Sequence, residues 1–248
     1  MDHLLRATAR AESTHFWFRG FRGFVRPLLQ RAAAGRTDLR LLDCGCGTGN
    51  NLDLLEQVGR AYGIDLTPVG LAFGREAGRR RLARASVTSV PFPDSSFDIV
   101  TSFDVLYSLE KPDAVRAAQE MFRVLRPGGF TLVNVAAMEV LRGDHSVLSH
   151  EVQRFSRRSL SELLTAQGFV IERITYTNAV LFPAMALART LQRARGLSAE
   201  DQADQEISVP AAPLNALLSA ALAVEGIWLR VGSNPFGSSL LCLARKPA

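Results

Sequence analysis

Between Leu41 and Asn50 the chain reads LLDCGCGTGN: an apolar strand end, an acidic residue, then glycines at positions 45, 47 and 49. Few folds accommodate that run. Glycine has no Cβ, so the backbone can bend sharply there and come within van der Waals reach of a ligand. A helix starting directly afterwards offers first-turn N–H groups that have no intrahelical partner. In open α/β sheets ligands bind beyond the carboxyl ends of the strands, so the segment reads as a nucleotide-cofactor loop above the first strand of such a sheet.

The spacing narrows the ligand. A dinucleotide fingerprint is G-x-G-x-x-G/A, and counting from Gly45 places the bulkier Asn50 at the third small position. A phosphate loop needs a lysine after its last glycine, and none is near. The loop therefore suits a nucleoside whose 5′ substituent is not a phosphate, with Asp43 placed for a cationic ammonium. A second short strand, YGIDL, ends in Asp65, whose carboxylate is placed to accept from ribose hydroxyls.

With these features the sequence resembles the class I S-adenosylmethionine-dependent methyltransferases, in particular their small-molecule, ubiquinone/menaquinone-biosynthesis-like branch. The resemblance is carried by LLDCGCGTG, by YGIDLT, by Ser89 to Leu106 and by Phe122 to Val133, in the family's order across residues 38 to 136. It implies a doubly wound, Rossmann-like α/β sheet of seven strands with the last antiparallel, and S-adenosyl-L-methionine as cofactor. The implied cofactor envelope is Asp43, Gly45, Cys46, Gly47, Asn50, Asp65, Leu66, Ser86, Val87 and Phe103. Two departures stand out. Ser86 occupies the place where relatives usually carry an Asp for the adenine amino group, leaving that contact to the Ser86 hydroxyl and the Val87 backbone. Val105-Leu106-Tyr107-Ser108 replaces a family stretch of the form V-L-x-H, so the usual base position is empty.

A chain of 248 residues, 47% hydrophobic and 21% charged, is long enough for one α/β domain with additions. The formal charge of +5 comes almost wholly from arginine, because Lys111 and Lys246 are the only lysines. It reads as a solvated surface, with an anionic substrate or membrane surface as the functional alternative. Cys44 and Cys46 are spaced wrongly for a C-x-x-C metal or redox pair, so they read as small packing residues, and no metal site is expected. The opening MDHLLRATARAEST has no signal-peptide apolar region and no run is long enough to span a bilayer, which points to a cytoplasmic protein.

Periodicity predicts a helix from Phe16 to Ala34 and strands over Leu39–Cys44, Tyr62–Leu66, Leu82–Ser86, Phe97–Phe103, Gly129–Val135, Phe169–Tyr176 and Ser239–Ala244. Helices are expected from about Asn50 to Val58, after Thr67-Pro68, and from Pro112 to Leu125, with capping-box spacing at Ser159 to Glu162. The expected division is a helical cap segment over 1–35, a cofactor-binding core over 36–176, a helical insertion over 177–238 and a final strand over 239–248. Apolar spacing in Phe182–Leu191 and in Leu214–Leu229 predicts that the insertion's helices pack on each other and on the N-terminal helix above the cofactor face. An inner acceptor pocket or peripheral membrane docking would be their functional use.

For chemistry beyond the cofactor, three places are candidates. Arg19, in HFWFR, is assigned to the methionine carboxylate, as an arginine fork fits it. His145, beside Asp144, and His150, near Arg154, follow the fifth strand and are candidate bases, since histidine titrates near neutrality. Tyr107 is a candidate for positioning the acceptor. The implied reaction is methyl transfer by in-line displacement to a small, largely apolar acceptor, with oxygen as the first choice of methylated atom. A non-catalytic cofactor-binding subunit and an RNA-modifying enzyme are the alternatives. The second is disfavoured by the absence of an N-P-P-Y tetrapeptide or a lysine-rich stripe, so no nucleic acid is expected as partner.

Overall fold

The computed structural model describes residues 8, 9, 11–141, 151–195 and 209–248. Seven strands, β1 (Leu39–Cys44), β2 (Gly59–Asp65), β3 (Leu82–Arg84), β4 (Phe97–Phe103), β5 (Leu125–Ala136), β6 (Val170–Thr177) and β7 (Ser239–Arg245), form one sheet in the order β3-β2-β1-β4-β5-β7-β6. β7 runs antiparallel to both of its neighbours and the other pairings are parallel, as the sequence led us to expect. Each expected strand is present. β1 and β4 have the expected bounds, and β5 begins earlier because its Arg126-Pro127-Gly128-Gly129 segment remains extended.

The period of two in the strands divides the interior into two apolar layers. Leu42, Val100, Val133 and Cys242 face one side, against α4 (Lys111–Val124) and α5 (Arg157–Thr165). Their neighbours Leu41, Ile99, Leu132 and Leu243 face the other, against α1 (Phe16–Ala33) and α2 (Leu52–Leu55). The N-terminal helix α1 thus lies on a face of the sheet through Phe24, Val25, Leu28 and Leu29. His15 caps it, Nδ1 accepting from the Trp17 amide at 3.1 Å.

Two local expectations are corrected and a third holds. The helix after the glycine loop is four residues long, starting at Leu52, because the Leu52 amide closes a tight turn onto the Gly49 carbonyl. The helix after Thr67 is α3 (Pro68–Glu76), with proline in its first turn as read. The capping box lies three residues earlier than read: Ser156 accepts from the Ser159 amide and the Ser159 hydroxyl answers the Ser156 amide, so the helix starts at Arg157. A serine in the third position can close the box in place of the glutamate sought in the sequence.

The insertion supplies α6 (Phe182–Arg195) and α7 (Ala212–Trp228). α7 runs alongside α1 in the same direction. Asn215 Oδ1 accepts from the Phe16 amide at 2.9 Å, and its amide donates to the Thr14 carbonyl. Gly20 is packed so closely on Leu222 that a Cβ there would overlap it. Away from this seam Leu217, Val224, Ile227 and Trp228 are exposed. Glu225 is the fastening. Its buried carboxylate accepts from the Ala179 amide at 3.0 Å, the Val180 amide at 3.1 Å and Asn234 Nδ2 at 2.8 Å, joining α7 to the start of α6 and to the approach to β7. Glu225→Ala leaves the Ala179 and Val180 amides and the buried Asn234 Nδ2 without their acceptor, and a loss on the order of 3 kcal/mol is expected in denaturant unfolding. An unchanged midpoint would contradict that role.

Candidate active site

The strand order reverses between β1 and β4, so a crevice opens where their carboxyl ends part, with the glycine loop on one side and the chain leaving β4 on the other. Gly45 has φ +82°, and a Cβ on it would overlap the Val105 side chain. Glycine is therefore required there twice over, by dihedral angle and by space.

Four of the loop's amides are committed within the protein. Gly45 and Cys46 both donate to the Ile64 carbonyl, at 2.8 and 2.9 Å, Gly49 donates to the Cys46 carbonyl at 2.8 Å, and Gly47 donates to Asp65 Oδ2 at 2.8 Å. In the helix that follows, the first amide, that of Leu52, turns back onto the Gly49 carbonyl. A phosphate cradle needs those N–H groups, so their internal use agrees with a ligand that is not phosphorylated. Cys46 is buried in the loop, and Asn50 is half-buried at its end.

Asp65, at the end of β2, holds the turn together. Oδ1 accepts from the Thr67 amide at 2.7 Å and from the Thr67 hydroxyl, while Oδ2 takes Gly47. An ionised carboxylate has about four lone-pair sites, and three are occupied. One ribose hydroxyl fits directly, while a second must share a site or displace the Thr67 hydroxyl. Leu66 beside it is exposed. Beyond β3, Ser86 Oγ lies 2.8 Å from Thr88 Oγ1 and accepts from the Thr88 amide, and Val87 is buried. Phe103, the last residue of β4, is buried edge-on to Phe21 of α1, with ring centroids 5.1 Å apart.

Asp43 is buried at 1% exposure. Oδ1 accepts from Thr101 Oγ1 at 2.6 Å, and Oδ2 has no hydrogen-bond partner among the described residues. Burial pushes its pKa up to about 7 against the Thr101 hydrogen bond, with Asp65 adding to the rise. A buried carboxylate with one vacant oxygen beside a ligand crevice fits a cationic group.

Asp104 was missed in the sequence. It directly follows β4, holds φ +61°, is exposed, and accepts from Asn134 Nδ2 at 2.8 Å. Its pKa is raised by the protein crowded round the crevice and by Glu151, opposed by the Asn134 hydrogen bond. A positive φ on a non-glycine residue at a ligand crevice was its signal, and that is invisible in sequence.

Other candidates disperse. Tyr107 is buried with Leu106 in an apolar cluster, and its carbonyl accepts from the Val152 and Gln153 amides. Arg19 is exposed on α1. The residue bearing on the loop from the N-terminal side is Glu12, whose carboxylate accepts from Thr48 Oγ1 at 2.6 Å and lies 4.0 Å from Arg79. His145 and His150, with Asp144, lie outside the described residues. Arg154 pairs with Glu151 at 2.7 Å. Among the described residues no helix is long and apolar enough to cross a membrane, and no cluster of three or more His, Cys, Asp or Glu is present. All three cysteines are buried and free, as expected of packing residues.

A family model described as a methyltransferase domain matches residues 42–133. Over that stretch the chain is similar to S-adenosylmethionine-dependent methyltransferases. A protein of Mycolicibacterium smegmatis named as a probable S-adenosylmethionine-dependent methyltransferase is 32% identical over 162 residues, 64% of this chain and 61% of that one. A demethylmenaquinone methyltransferase of Geobacillus stearothermophilus is 29% identical, over 56% of this chain and 74% of that one. A human protein named as probable tRNA methyltransferase 9B is 34% identical, over 46% of this chain and 24% of that one. Phosphoethanolamine N-methyltransferase 2 of Haemonchus contortus, solved with S-adenosyl-L-methionine, shares the fold at a TM-score of 0.63 and 18% identity, over 100% of this chain and 58% of that one. The chain spans 61%, 44% and 56% of the length of the first three curated relatives it matches.

The free protein holds Asp43 protonated below about pH 7, and a cation settling against Oδ2 favours the ionised form. Binding of S-adenosylmethionine at pH 6 is therefore expected to release protons, and at pH 8 to release few. Calorimetry in buffers of different ionisation enthalpy measures this, and equal proton release at both values would count against it.

Proposed function

We propose that this protein transfers the methyl group of S-adenosylmethionine to a small, largely apolar acceptor, at oxygen. The observation that carries the reading is the crevice between β1 and β4, with its internally satisfied glycine loop and a buried Asp43 lacking one partner. Bound there, the cofactor supplies an electrophilic methyl on a sulfonium. Asp43 receives the α-ammonium, Asp65 a ribose hydroxyl, and Leu66, Ser86 and Val87 enclose the base, with Gly45, Cys46, Gly47 and Asn50 forming the floor and Phe103 the wall. We assign the carboxylate to Arg19, which is exposed on the N-terminal helix.

The acceptor's oxygen lies in line with the C–S bond. The O–CH3 bond forms as the C–S bond breaks, the released electron pair stays on sulfur, and the acceptor's proton passes to a base. His145, with Asp144 beside it, is the base we assign, and His150 is the second choice. Apolar surroundings favour this step for an ionised oxygen, because charge disappears as the methyl moves. The demethylmenaquinone methyltransferase relative supports a small apolar acceptor, while the tRNA methyltransferase relative matches over less of this chain.

Asp65→Ala is expected to weaken S-adenosylmethionine binding about 100-fold, since it removes the ribose acceptor and the anchor of Gly47 together. Calorimetric titration reads this, and a Kd within about twofold of wild type would contradict it. His145→Ala should preserve cofactor affinity and lower turnover by about 10²-fold at neutral pH. Isotope-labelled cofactor incubated with cell extract identifies the acceptor by product mass, and a labelled RNA as the sole product would overturn the small-molecule reading.

A further inference from the structure

The carboxylate of Asp104 has no task in the cofactor contacts above, yet its position is unusual in three independent ways. It is the first residue beyond β4, on the edge of the crevice opposite the glycine loop, and the next residue, Val105, is packed against Gly45. Its backbone is held at φ +61°, a left-handed conformation that disfavours an aspartate. It is also fixed from behind. Its amide donates to the Asn134 carbonyl at 3.0 Å while the Asn134 side-chain amide donates to Oδ1 at 2.8 Å, so β5 grips both its backbone and its carboxylate.

Among the described residues no cation pairs with this carboxylate. Glu151 adds a like charge, and the cationic group near Glu151, Arg154, is 6% exposed, paired with Glu151 at 2.7 Å and donating to the Ala137 carbonyl. Asn134 Oδ1, buried beside it, has no hydrogen-bond partner among the described residues. The crevice is thus bounded by two under-compensated acids. Asp43 pairs in register with Thr101, three residues before Asp104, which spaces the two about 10 Å apart along the strands. A ligand with two positive charges, one towards each acid, satisfies both, and S-adenosylmethionine carries an ammonium and a sulfonium.

We propose that Asp104 is the counter-charge for the sulfonium, and that it makes the crevice discriminate the charged methyl donor from its neutral product, S-adenosylhomocysteine. The ammonium is common to donor and product, so Asp43 cannot tell them apart. Methyl transfer removes the sulfonium charge and leaves Asp104 without its partner, which weakens the product's hold and favours exchange. This inference rests on the cofactor and the assignment of Asp43 to its ammonium, and is independent of the acceptor and the methylated atom.

The test compares affinities at pH 8 by calorimetry for S-adenosylmethionine, S-adenosylhomocysteine and sinefungin, which carries an amine on carbon in place of the sulfonium. Wild type should bind both cationic compounds more tightly than the neutral one. Asp104→Asn, which keeps the shape and the Asn134 contact, should raise the Kd of the cationic pair about tenfold and leave S-adenosylhomocysteine within about twofold. Asp104→Glu should restore part of the difference. Equal weakening of all three ligands would reduce Asp104 to a structural part, and an unchanged ratio would remove it from the site; either overturns the proposal. Wild type failing to distinguish the cationic pair from the neutral compound overturns it without any variant. A failed search for an oxygen acceptor, by contrast, touches only the proposed function.

Discussion

Gly45 and Val105 set the geometry on which the rest depends. At that point the chain leaving β1 and the chain leaving β4 approach until no Cβ fits between them, and the loop bends through a left-handed φ. The strand order reverses at the same place, so helices on either side lead away from the crevice instead of filling it. Any side chain at position 45 would push Val105 outward and carry Asp104 with it. The loop, the end of β4 and the acids that flank them form one mechanical unit.

Within that unit, polarity is arranged by subtraction. The N–H groups of Gly45, Cys46, Gly47 and Gly49 are taken up by Ile64, Cys46 and Asp65. Carboxylates remain: Asp43 with a vacant oxygen, Asp65 with one unfilled site, and Asp104 open to solvent. Such a surface repels phosphates and attracts cations. This electrostatic contrast separates the protein from dinucleotide and phosphate-loop folds more sharply than the glycine spacing does, because it follows from where each hydrogen bond goes.

The insertion between β6 and β7 is fastened with equal economy. α7 carries no charged side chain except the buried Glu225, and that one carboxylate holds the start of α6 and the approach to β7. Its other face is apolar and exposed. Because α1 lies flat on the sheet through Phe24, Val25, Leu28 and Leu29, α7 is carried by that helix as an outer layer. Asn215, which bonds to the segment entering α1, makes the N-terminal residues and the insertion interdependent.

How much of this was legible followed the range of the forces involved. The alternation of Leu41 with Leu42 and of Ile99 with Val100, the glycines, and Thr67-Pro68 are local signals, and they determined the strands, the sheet class and the cofactor family. Asp43 and Asp65 were legible as well, since a strand end places its last side chain without help from distant residues. The short helix after the loop and the Ser156 cap were missed, because a tight turn or a serine in place of glutamate alters boundaries without changing the pattern. Asp104 was illegible for a deeper reason. Its importance comes from a positive φ, from Asn134 on the next strand and from the turn at Gly45 some sixty residues earlier, and only the folded sheet brings these together. The sequence by itself determined that a tight glycine loop follows β1 and that acids stand at the ends of β1 and β2; the tertiary structure decided which charges surround them, because charge compensation depends on neighbours in space and not along the chain.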